Sequence, residues 1–258
     1  MQEAQSIDQQ TVLVTGGARG LGAEIVRAFA REGARVVVNY RRSADAAVDL
    51  VAEVGADLAV ALRADVTDHD EVRTLVREAR AHFGAPITTV VNNALADFQF
   101  NGDARPGPDS LTWENIDQQL RGSVKGMLAT TQAVLPGMRE LGFGRIVSIG
   151  TNLFQHPVVP YHDYTAAKAA ALSLTRTLAA DLGADGITVN MVSGGLLRTT
   201  DASAATPEEV FDIIASTTPL RRAIVPAELA DAVLFFASPW ARAVTGQNLI
   251  VDGGLVNG

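Results

Sequence analysis

The feature that most constrains the fold is a short apolar run that stops at glycine and leads directly into a helical pattern. Residues 11–15 are apolar or β-branched, as in a buried strand, and four glycines follow within residues 16–22. From Ala23 to Ala30 the apolar residues recur with helical period. Glycine allows positive φ and close backbone approach, and a helix N-terminus offers free N–H donors. This unit therefore predicts a cradle for a phosphate group.

Six more strands are predicted along the chain, and helical patterns lie between most of them. The expected strands are residues 34–40, 58–62, 87–91, 144–151, 187–192 and 248–251. The expected helices are residues 68–83, 113–138, 164–182 and 226–238, together with a short helix that begins at residue 207. The helix at 113–138 is expected to break at Gly122. Alternating strands and helices indicate a parallel sheet covered on both faces, with ligands at the carboxyl ends of the strands. We expect an α/β fold with a Rossmann-type doubly wound sheet, formed as one domain by residues 1–258.

The end of the second strand indicates which dinucleotide the cradle suits. A site for NAD places an acidic residue there to bind the ribose 2′-hydroxyl. Here Asn39 takes that place, Tyr40, Arg41 and Arg42 follow, and Arg19 lies in the glycine-rich turn. The local charge suits a 2′-phosphate and favours NADP(H) over NAD(H). The alternative is that these arginines are only solvated surface charge.

Other polar and irregular segments fall at the same edge of the predicted sheet. Asp65 and Asn92 end two of the strands, which favours contact with the cofactor over simple helix capping. Residues 95–112 lack a regular pattern and are expected to form part of the substrate mouth. Residues 193–219 are also less regular and are expected to close over the substrate. Neither segment carries a charge or aromatic pattern that identifies the substrate.

A tyrosine and a lysine with helical spacing are the candidate reacting groups. Tyr164 and Lys168 are four residues apart, which places them one turn apart on one helix face. A fixed cation near a phenol lowers its pKa, so the hydroxyl becomes a usable acid or base nearer neutral pH. Lys125 and Lys168 are the only lysines, since arginine carries the remaining positive charge. The same spacing also occurs in helices where both residues are only structural.

The composition argues against several classes of function. The formal net charge is −8 and no basic run interleaves with aromatics, which argues against nucleic-acid and anionic-membrane partners. The chain has no cysteine and its four histidines lack metal-ligand spacing, so no metal site is expected. No apolar run approaches membrane-spanning length, and the polar start is unlike a signal peptide. We expect a cytoplasmic protein that binds small molecules.

The ordered combination of motifs resembles the classical short-chain dehydrogenases/reductases over nearly the whole chain. Residues 15–22 resemble the cofactor glycine motif of that family, Asp65-Val66 its adenine contact and Asn92-Asn93-Ala94 its sheet motif. Tyr164 and Lys168 resemble its catalytic pair. This resemblance implies hydride transfer between a nicotinamide ring and a carbonyl or secondary alcohol.

The resemblance also implies a role for individual residues. Tyr164 would protonate the developing alkoxide, and Lys168 would lower the pKa of Tyr164 and bind the nicotinamide ribose. The hydroxyl of Thr151 would polarise the carbonyl, and Thr199 would hold the carboxamide. The implied cofactor-binding residues are Gly16, Arg19, Gly20, Leu21, Gly22, Asn39, Tyr40, Arg41, Asp65, Val66, Asn92, Ala94, Tyr164, Lys168, Gly195, Leu197 and Thr199.

Four positions depart from the family pattern. Thr151 stands where serine is usual; it keeps the hydroxyl, but its added methyl restricts χ1. Ser123 falls at the position of the proton-relay asparagine and is a shorter side chain that can still hold a water. Leu95 replaces a glycine and narrows the floor of the site, and Gly194 replaces a proline and is expected to loosen its loop.

Within the family, residues 39–42 and 245–254 are most similar to bacterial 3-oxoacyl-acyl-carrier-protein reductases, enzymes of fatty acid biosynthesis. The first hypothesis is therefore an NADPH-dependent reductase that converts a 3-oxoacyl thioester or related ketone to a secondary alcohol. One alternative is an alcohol or polyol dehydrogenase that works in the oxidative direction. Another is a dinucleotide-binding sensor or assembly subunit with little turnover. Family likeness also suggests a homotetramer.

Overall fold

A seven-stranded parallel sheet forms the centre of the computed structural model, which describes residues 5–95, 98 and 100–256. The strand order is β3-β2-β1-β4-β5-β6-β7, so the winding of the sheet reverses between β1 and β4. A doubly wound sheet opens its ligand crevice at this reversal, outside the carboxyl ends of the strands. The strands are β1 Thr11–Val14, β2 Arg35–Tyr40, β3 Ala59–Arg63, β4 Thr89–Asn92, β5 Gly144–Thr151, β6 Ile187–Gly194 and β7 Asn248–Val251.

Helices cover both faces of this sheet. They are α1 Gly20–Arg31, α2 Ala44–Val54, α3 His69–Phe83, α4 Trp113–Leu120, α5 Gly126–Leu141, α6 His162–Leu182, α7 Glu208–Thr217 and α8 Pro226–Ala237. Short 3-10 turns lie at Ile7–Gln9, Gly102–Ala104, Asn152–Phe154, Gly183–Asp185 and Pro239–Ala241. Among the described residues, no helix is long and apolar enough to cross a membrane.

The two faces of the sheet carry two separate apolar cores, because successive side chains of a strand point to opposite sides. Val12 and Val14 of β1 pack into one core with residues of α1, α2 and α8, such as Phe29 and Leu229. Leu13 of the same strand points to the other core, which α3, α5 and α6 cover. Both faces are therefore closed, and the edge at the carboxyl ends of the strands is left for ligands.

The structure confirms the predicted fold class and the seven strands. Asp68 caps α3 as expected, since its carboxylate accepts hydrogen bonds from the backbone N–H groups of Asp70 and Glu71. The predicted break at Gly122 is a π-helical turn, Arg121–Lys125, which joins α4 to α5. Helix α2 was not predicted, because only Ala47 and Leu50 of it are buried and they give a weak pattern.

Candidate active site

The carboxyl ends of the strands surround one large cavity of about 950 Å³. It runs from the glycine-rich turn after β1, past the ends of β2 and β3, to the start of α6. The structure brings most of the sequence-predicted site residues to this cavity: Gly16, Arg19, Gly20, Leu21, Gly22, Asn39, Tyr40, Arg41, Asp65, Val66, Ala94, Thr151, Tyr164, Lys168, Gly195 and Leu197. The glycine-rich turn and the Tyr164/Lys168 pair thus share one space.

The glycine-rich turn has a shape that only glycine permits. Gly16 has φ +60° and Gly20 has φ +53°, both in the left-handed region. A Cβ atom on Gly22 would lie 2.2 Å from the carbonyl oxygen of Gly16 and 2.7 Å from Nδ2 of Asn93. Helix α1 begins at Gly20, so the unpaired N–H groups of its first turn lie at the edge of the cavity. This cradle fits a phosphate group.

Two residues that were not predicted as site residues hold the turn in place. The hydroxyl of Thr15 accepts hydrogen bonds from the backbone N–H groups of Asn93 and Ala94, at 2.9 and 3.0 Å. Nδ2 of Asn93 donates to the carbonyl oxygens of Thr15 and Gly16, at 3.0 and 3.2 Å. The end of β4 therefore braces the glycine-rich turn, which explains why polar residues follow this strand.

Asn39 lines the cavity at the expected position, and its side-chain amide is also hydrogen-bonded inside the protein. Its side chain is only 2% exposed, and Oδ1 accepts a hydrogen bond from the N–H of Gly16 at 3.3 Å. Nδ2 donates to the carbonyl oxygen of Ala64 at 3.1 Å. The amide is therefore occupied in joining β2 to the glycine-rich turn and to the end of β3.

The charged side chains beyond Asn39 lie at the cavity edge. Nη1 of Arg41 is 3.6 Å from Oδ2 of Asp65, and Nη1 of Arg19 is 3.3 Å from Oδ2 of Asp201. Burial raises the pKa of Asp65, but hydrogen bonds from Thr67 and the Arg41 guanidinium outweigh it and hold that pKa below its ordinary value. Asp65 is thus ionised at neutral pH and fixes the end of Arg41.

Tyr164, Lys168 and Thr151 meet at the other end of the cavity. All three are buried. The hydroxyl of Thr151 accepts a hydrogen bond from the N–H of Leu153 at 3.3 Å, and its proximity to Tyr164 lowers the pKa of that phenol. Nζ of Lys168 donates to the carbonyl oxygen of Ile149 at 2.7 Å and lies 5.7 Å from the centre of the Tyr164 ring. Small residues on the same face of α6, Ala167 and Ala171, are also buried, which lets the helix pack closely on the sheet.

The residue after Thr151 is hydrogen-bonded to the segment that follows β7. Nδ2 of this residue, Asn152, donates to Oδ2 of Asp252 at 2.9 Å, and both residues are buried. The other carboxylate oxygen of Asp252 accepts the N–H groups of Gly254 and Leu255, each at 3.0 Å. The segment after β7 is therefore tied to the backbone next to Thr151, a contact that no local sequence pattern indicates.

The pKa of Tyr164 is a correction to the sequence expectation that Lys168 lowers it. Burial raises the pKa of Tyr164 to about 12, and the nearby hydroxyl of Thr151 offsets only part of that effect. Burial also lowers the pKa of Lys168 to about 8. The cause is the low polarity around both groups, which disfavours the phenolate and the ammonium alike. Tyr164 is therefore a neutral proton donor at pH 7.

Two predicted residues, Ser123 and Asn92, lie outside the large cavity and line a small one beside Lys168. This second cavity holds about 10 Å³, room for one water molecule. The hydroxyl of Ser123 lines it from the π-helical turn and is buried without a hydrogen-bond partner among the described residues. Oδ1 of Asn92 accepts a hydrogen bond from the hydroxyl of Thr130 at 2.6 Å, so Asn92 joins β4 to α5.

The structure does not bring Thr199 into the cavity. Its side chain is exposed, and the neighbouring Thr200 lines the cavity instead. The reason is a turn in which the hydroxyl of Ser203 donates to the carbonyl oxygen of Leu197 at 2.8 Å and accepts the N–H of Thr200 at 2.9 Å.

Two more positions depart from the family pattern, Leu95 and Gly194. Leu95 lines the cavity. Gly194 was expected to loosen a loop, but it belongs to strand β6. Gly194 is buried at the end of β6 and pairs with Val251 of β7. Cδ1 of Leu229 lies 2.5 Å from the place that a Cβ on Gly194 would take. A core side chain therefore fills this space, and the expectation of a loosened loop was wrong.

Tyr164 belongs to a group of four packed aromatic residues that the sequence did not predict. We call Phe98, Phe100, Tyr161 and Tyr164 the aromatic cluster. Phe98 stacks on Tyr164 with ring centres 4.4 Å apart and planes at 15°, and Phe100 meets Tyr164 edge to face at 5.7 Å and 80°. Tyr161 packs edge to face on Phe98 at 5.3 Å and on Phe100 at 5.7 Å. The Phe-x-Phe spacing at 98–100 was the available signal.

The chain is similar to known reductases and dehydrogenases over nearly its whole length. A family model described as Enoyl-(Acyl carrier protein) reductase matches residues 16–256. The versicolorin reductase stcU of Emericella nidulans is 33% identical over 263 residues, which cover 96% of each chain. The galactitol 2-dehydrogenase (L-tagatose-forming) of Cereibacter sphaeroides is 36% identical over 257 residues, which cover 96% of this chain and 95% of that protein.

Two solved structures share the whole fold. A blue fluorescent protein from a metagenomic library, in complex with NADPH, is 34% identical with a TM-score of 0.86, covering 98% of this chain and 100% of that one. A gluconate 5-dehydrogenase from Burkholderia cenocepacia, in complex with NADP and tartrate, is 30% identical with a TM-score of 0.87, covering 98% and 97%.

Proposed function

Because the chain belongs to the short-chain dehydrogenase/reductase family of oxidoreductases, we propose that it is an NADPH-dependent reductase that converts a ketone to a secondary alcohol. One observation carries the proposal. Tyr164, which is buried and protonated, and Thr151 line the same cavity as a glycine-built phosphate cradle. An acid, a carbonyl-polarising hydroxyl and a dinucleotide cradle are what carbonyl reduction requires.

The residues around the cavity fit NADP(H). The turn at Gly16–Gly22 and the first turn of α1 would hold the pyrophosphate. Arg41 and Arg42 line the cavity beyond β2, where Asn39 leaves the position without an acidic side chain, and they would hold a 2′-phosphate. The two similar structures in complex with NADPH and NADP support this assignment. When bound, the reduced nicotinamide supplies the hydride.

The chain's own residues then handle the oxygen and the proton. Thr151 donates a hydrogen bond to the substrate oxygen and polarises the carbonyl. Tyr164 donates its proton to that oxygen as negative charge develops there. Lys168, as an ammonium, stabilises the phenolate left on Tyr164. The small cavity beside Lys168 and Ser123 has room for one water, through which that proton would be replaced.

The high pKa of Tyr164 favours reduction over the oxidative alternative. A dehydrogenase needs the phenolate as its base, and burial disfavours this form because it raises the pKa to about 12. A polyol dehydrogenase is the second candidate function, because two similar proteins are named galactitol 2-dehydrogenase and gluconate 5-dehydrogenase. The sensor hypothesis is weaker, since Tyr164, Lys168 and the hydroxyl-bearing Thr151 line one cavity.

The test is a set of parallel assays with NADPH and NADH against ketones, and with NADP and NAD against the matching alcohols. We expect ketone reduction with NADPH to exceed alcohol oxidation at pH 7 and to exceed reduction with NADH. Faster oxidation of polyols would transfer the assignment to the dehydrogenase. Tight NADPH binding without turnover of any ketone or alcohol would support the sensor.

A homo-oligomer is part of the same proposal. Strand β7 is an edge of the sheet. Leu249 on this strand is 38% exposed, and Trp240 just before it is 81% exposed. Apolar side chains at an open sheet edge are suited to cover by another copy of the chain.

The pH dependence follows from Lys168. Its pKa of about 8 means that the ammonium is present below this pH and is lost above it. We therefore expect kcat/KM for reduction to be constant from about pH 6 to 8 and then to fall about tenfold per pH unit. The pKa of Tyr164 lies too high to add a second break in this range. A profile that stays flat to about pH 10, or that falls on the acid side, would contradict the role of Lys168.

Ser123 tests the proton path. Replacing it by alanine removes a buried hydroxyl that has no partner among the described residues, so the free energy of unfolding should change by less than about 0.5 kcal/mol. We expect kcat for Ser123→Ala to fall about tenfold with an unchanged KM for NADPH. Thr131→Val is the matched control, because Thr131 on α5 is also a buried hydroxyl without a described partner. Equal kcat in both variants would remove Ser123 from the path.

A further inference from the structure

We propose that the substrate is a ketone carried on a flat aromatic ring system, and that Phe100 and Tyr161 select it. The inference rests on the proposed function, since it assigns a substrate class to the reaction at Tyr164. Phe100 and Tyr161 line the cavity together with Tyr164, and the ring centre of Phe100 lies 5.7 Å from that of Tyr164, so the cavity presents aromatic surface next to the reacting residue. Aromatic rings prefer to meet another ring edge to face or offset-stacked, so a flat substrate ring suits this surface.

The hydroxyl of Tyr161 is already hydrogen-bonded within the protein, so the aromatic ring is the part of this side chain that is available to a substrate. Its hydroxyl accepts a hydrogen bond from the backbone N–H of Gly102 at 2.8 Å. The side chain is 5% exposed, and its ring meets that of Phe100 edge to face. The hydroxyl therefore ties the loop around Gly102 to the start of α6, and the ring is what Tyr161 offers to a ligand.

Much of the remaining cavity wall is apolar, although Asn101 and Asn152 also line it. The apolar lining residues from the segments next to Ala94, Thr151 and Tyr161, and from α7, are Leu95, Leu153, Val158, Val159, Val210 and Ile214. In the described part of the chain, the charged side chains that line the cavity are Arg19, Arg41, Arg42, Asp65, Lys168 and Asp201. All except Lys168 belong to the glycine-rich turn, to the ends of β2 and β3, or to an ion pair with that turn.

A carrier-linked thioester finds less support in the same structure. Three arginines that do not line the cavity, Arg121, Arg198 and Arg222, are in ion pairs with Asp117, Glu208 and Glu228 and so offer less charge to a phosphopantetheine group. The net charge of −8 also repels an anionic carrier. An uncharged aromatic ketone needs neither a basic mouth nor a basic surface.

The test compares β-tetralone with trans-β-decalone as substrates of the enzyme with NADPH. The two ketones share a fused two-ring skeleton and an unconjugated carbonyl, and only β-tetralone has an aromatic ring. We expect kcat/KM to be about tenfold higher for β-tetralone. Phe100→Leu should lower this value about tenfold for β-tetralone and less than about threefold for the decalone.

Phe83→Leu is the matched control, because Phe83 ends α3 and its carbonyl oxygen accepts a hydrogen bond from Arg35, at the amino edge of the sheet opposite the cavity. It should leave both values unchanged. Calorimetric titration of β-tetralone into the NADP complex should show about tenfold weaker binding to Phe100→Leu than to the wild-type enzyme, and unchanged binding to Phe83→Leu. An unchanged NADPH affinity shows that this variant is folded.

Equal kcat/KM for the two ketones, or an equal loss for both in Phe100→Leu, would overturn the inference. Good reduction of the decalone without that of β-tetralone would also overturn it and leave the proposed reductase standing. If no ketone is reduced although NADPH binds, the proposed function itself fails.

Discussion

Replacing Tyr164 by phenylalanine is expected to lower kcat for ketone reduction by about 10³-fold, because the variant lacks the buried phenol that serves as the acid in the proposed reaction. The ring remains, so its stack with Phe98 at 4.4 Å is preserved and the fold should not change. The Kd for NADPH should stay within about twofold of the wild-type value, since the cradle lies at the other end of the cavity. Stopped-flow turnover and fluorescence titration of NADPH measure the two quantities.

Tyr161→Phe is the comparison for this variant. It also removes one phenolic hydroxyl from the aromatic cluster, but this hydroxyl accepts the N–H of Gly102 and is not the proposed acid. We expect a loss of stability of about 1 kcal/mol and a loss of kcat below about tenfold. Equal losses in the two variants would show that the cluster is sensitive to any change and that Tyr164 is not the acid.

The second large effect is expected for Gly22→Ala, which places a methyl group 2.2 Å from the carbonyl oxygen of Gly16. Backbone cannot yield as a flexible side chain does, so the glycine-rich turn must move. We expect NADPH to bind at least about 100-fold more weakly and the free energy of unfolding to fall by about 2 kcal/mol. Calorimetric titration with NADPH and urea denaturation measure the two changes.

Gly183→Ala is the matched control for the glycine-rich turn. A Cβ on Gly183 would meet no atom within 4 Å, and its φ of −58° and ψ of −36° suit any residue. Its unfolding free energy should be unchanged or higher by up to about 1 kcal/mol, with unchanged NADPH affinity. If Gly22→Ala behaves in the same way, the turn is not the cofactor cradle.

The fold could be predicted because its strands are short apolar runs that end at polar residues or glycine. In β1, for example, Val12, Leu13 and Val14 stop at Thr15 and Gly16, and this pattern depends only on local sequence. Helix α2 was missed for the complementary reason. It buries only Ala47 and Leu50, so its sequence carries little of the periodicity that burial imposes.

The site was predictable where one short segment carries it and was not where distant segments meet. The spacing of Tyr164 and Lys168 and the glycines at 16–22 are local. The position of Asn39 depends on hydrogen bonds to Gly16 and Ala64, which belong to other βα units. Burial could not be read from the sequence either, so the direction of the Tyr164 pKa shift was predicted with the wrong sign.

The most direct test of the central claim is deuterium transfer from NADPH that carries deuterium at the transferable position of the nicotinamide ring. The enzyme is incubated with this cofactor and β-tetralone or another ketone that it turns over, and the alcohol is analysed by mass spectrometry. A ketone reductase gives an alcohol with one deuterium on the former carbonyl carbon, and Tyr164→Phe gives almost none in the same time. An alcohol without deuterium, or labelled NADPH that binds and is not consumed with any ketone, would contradict the account.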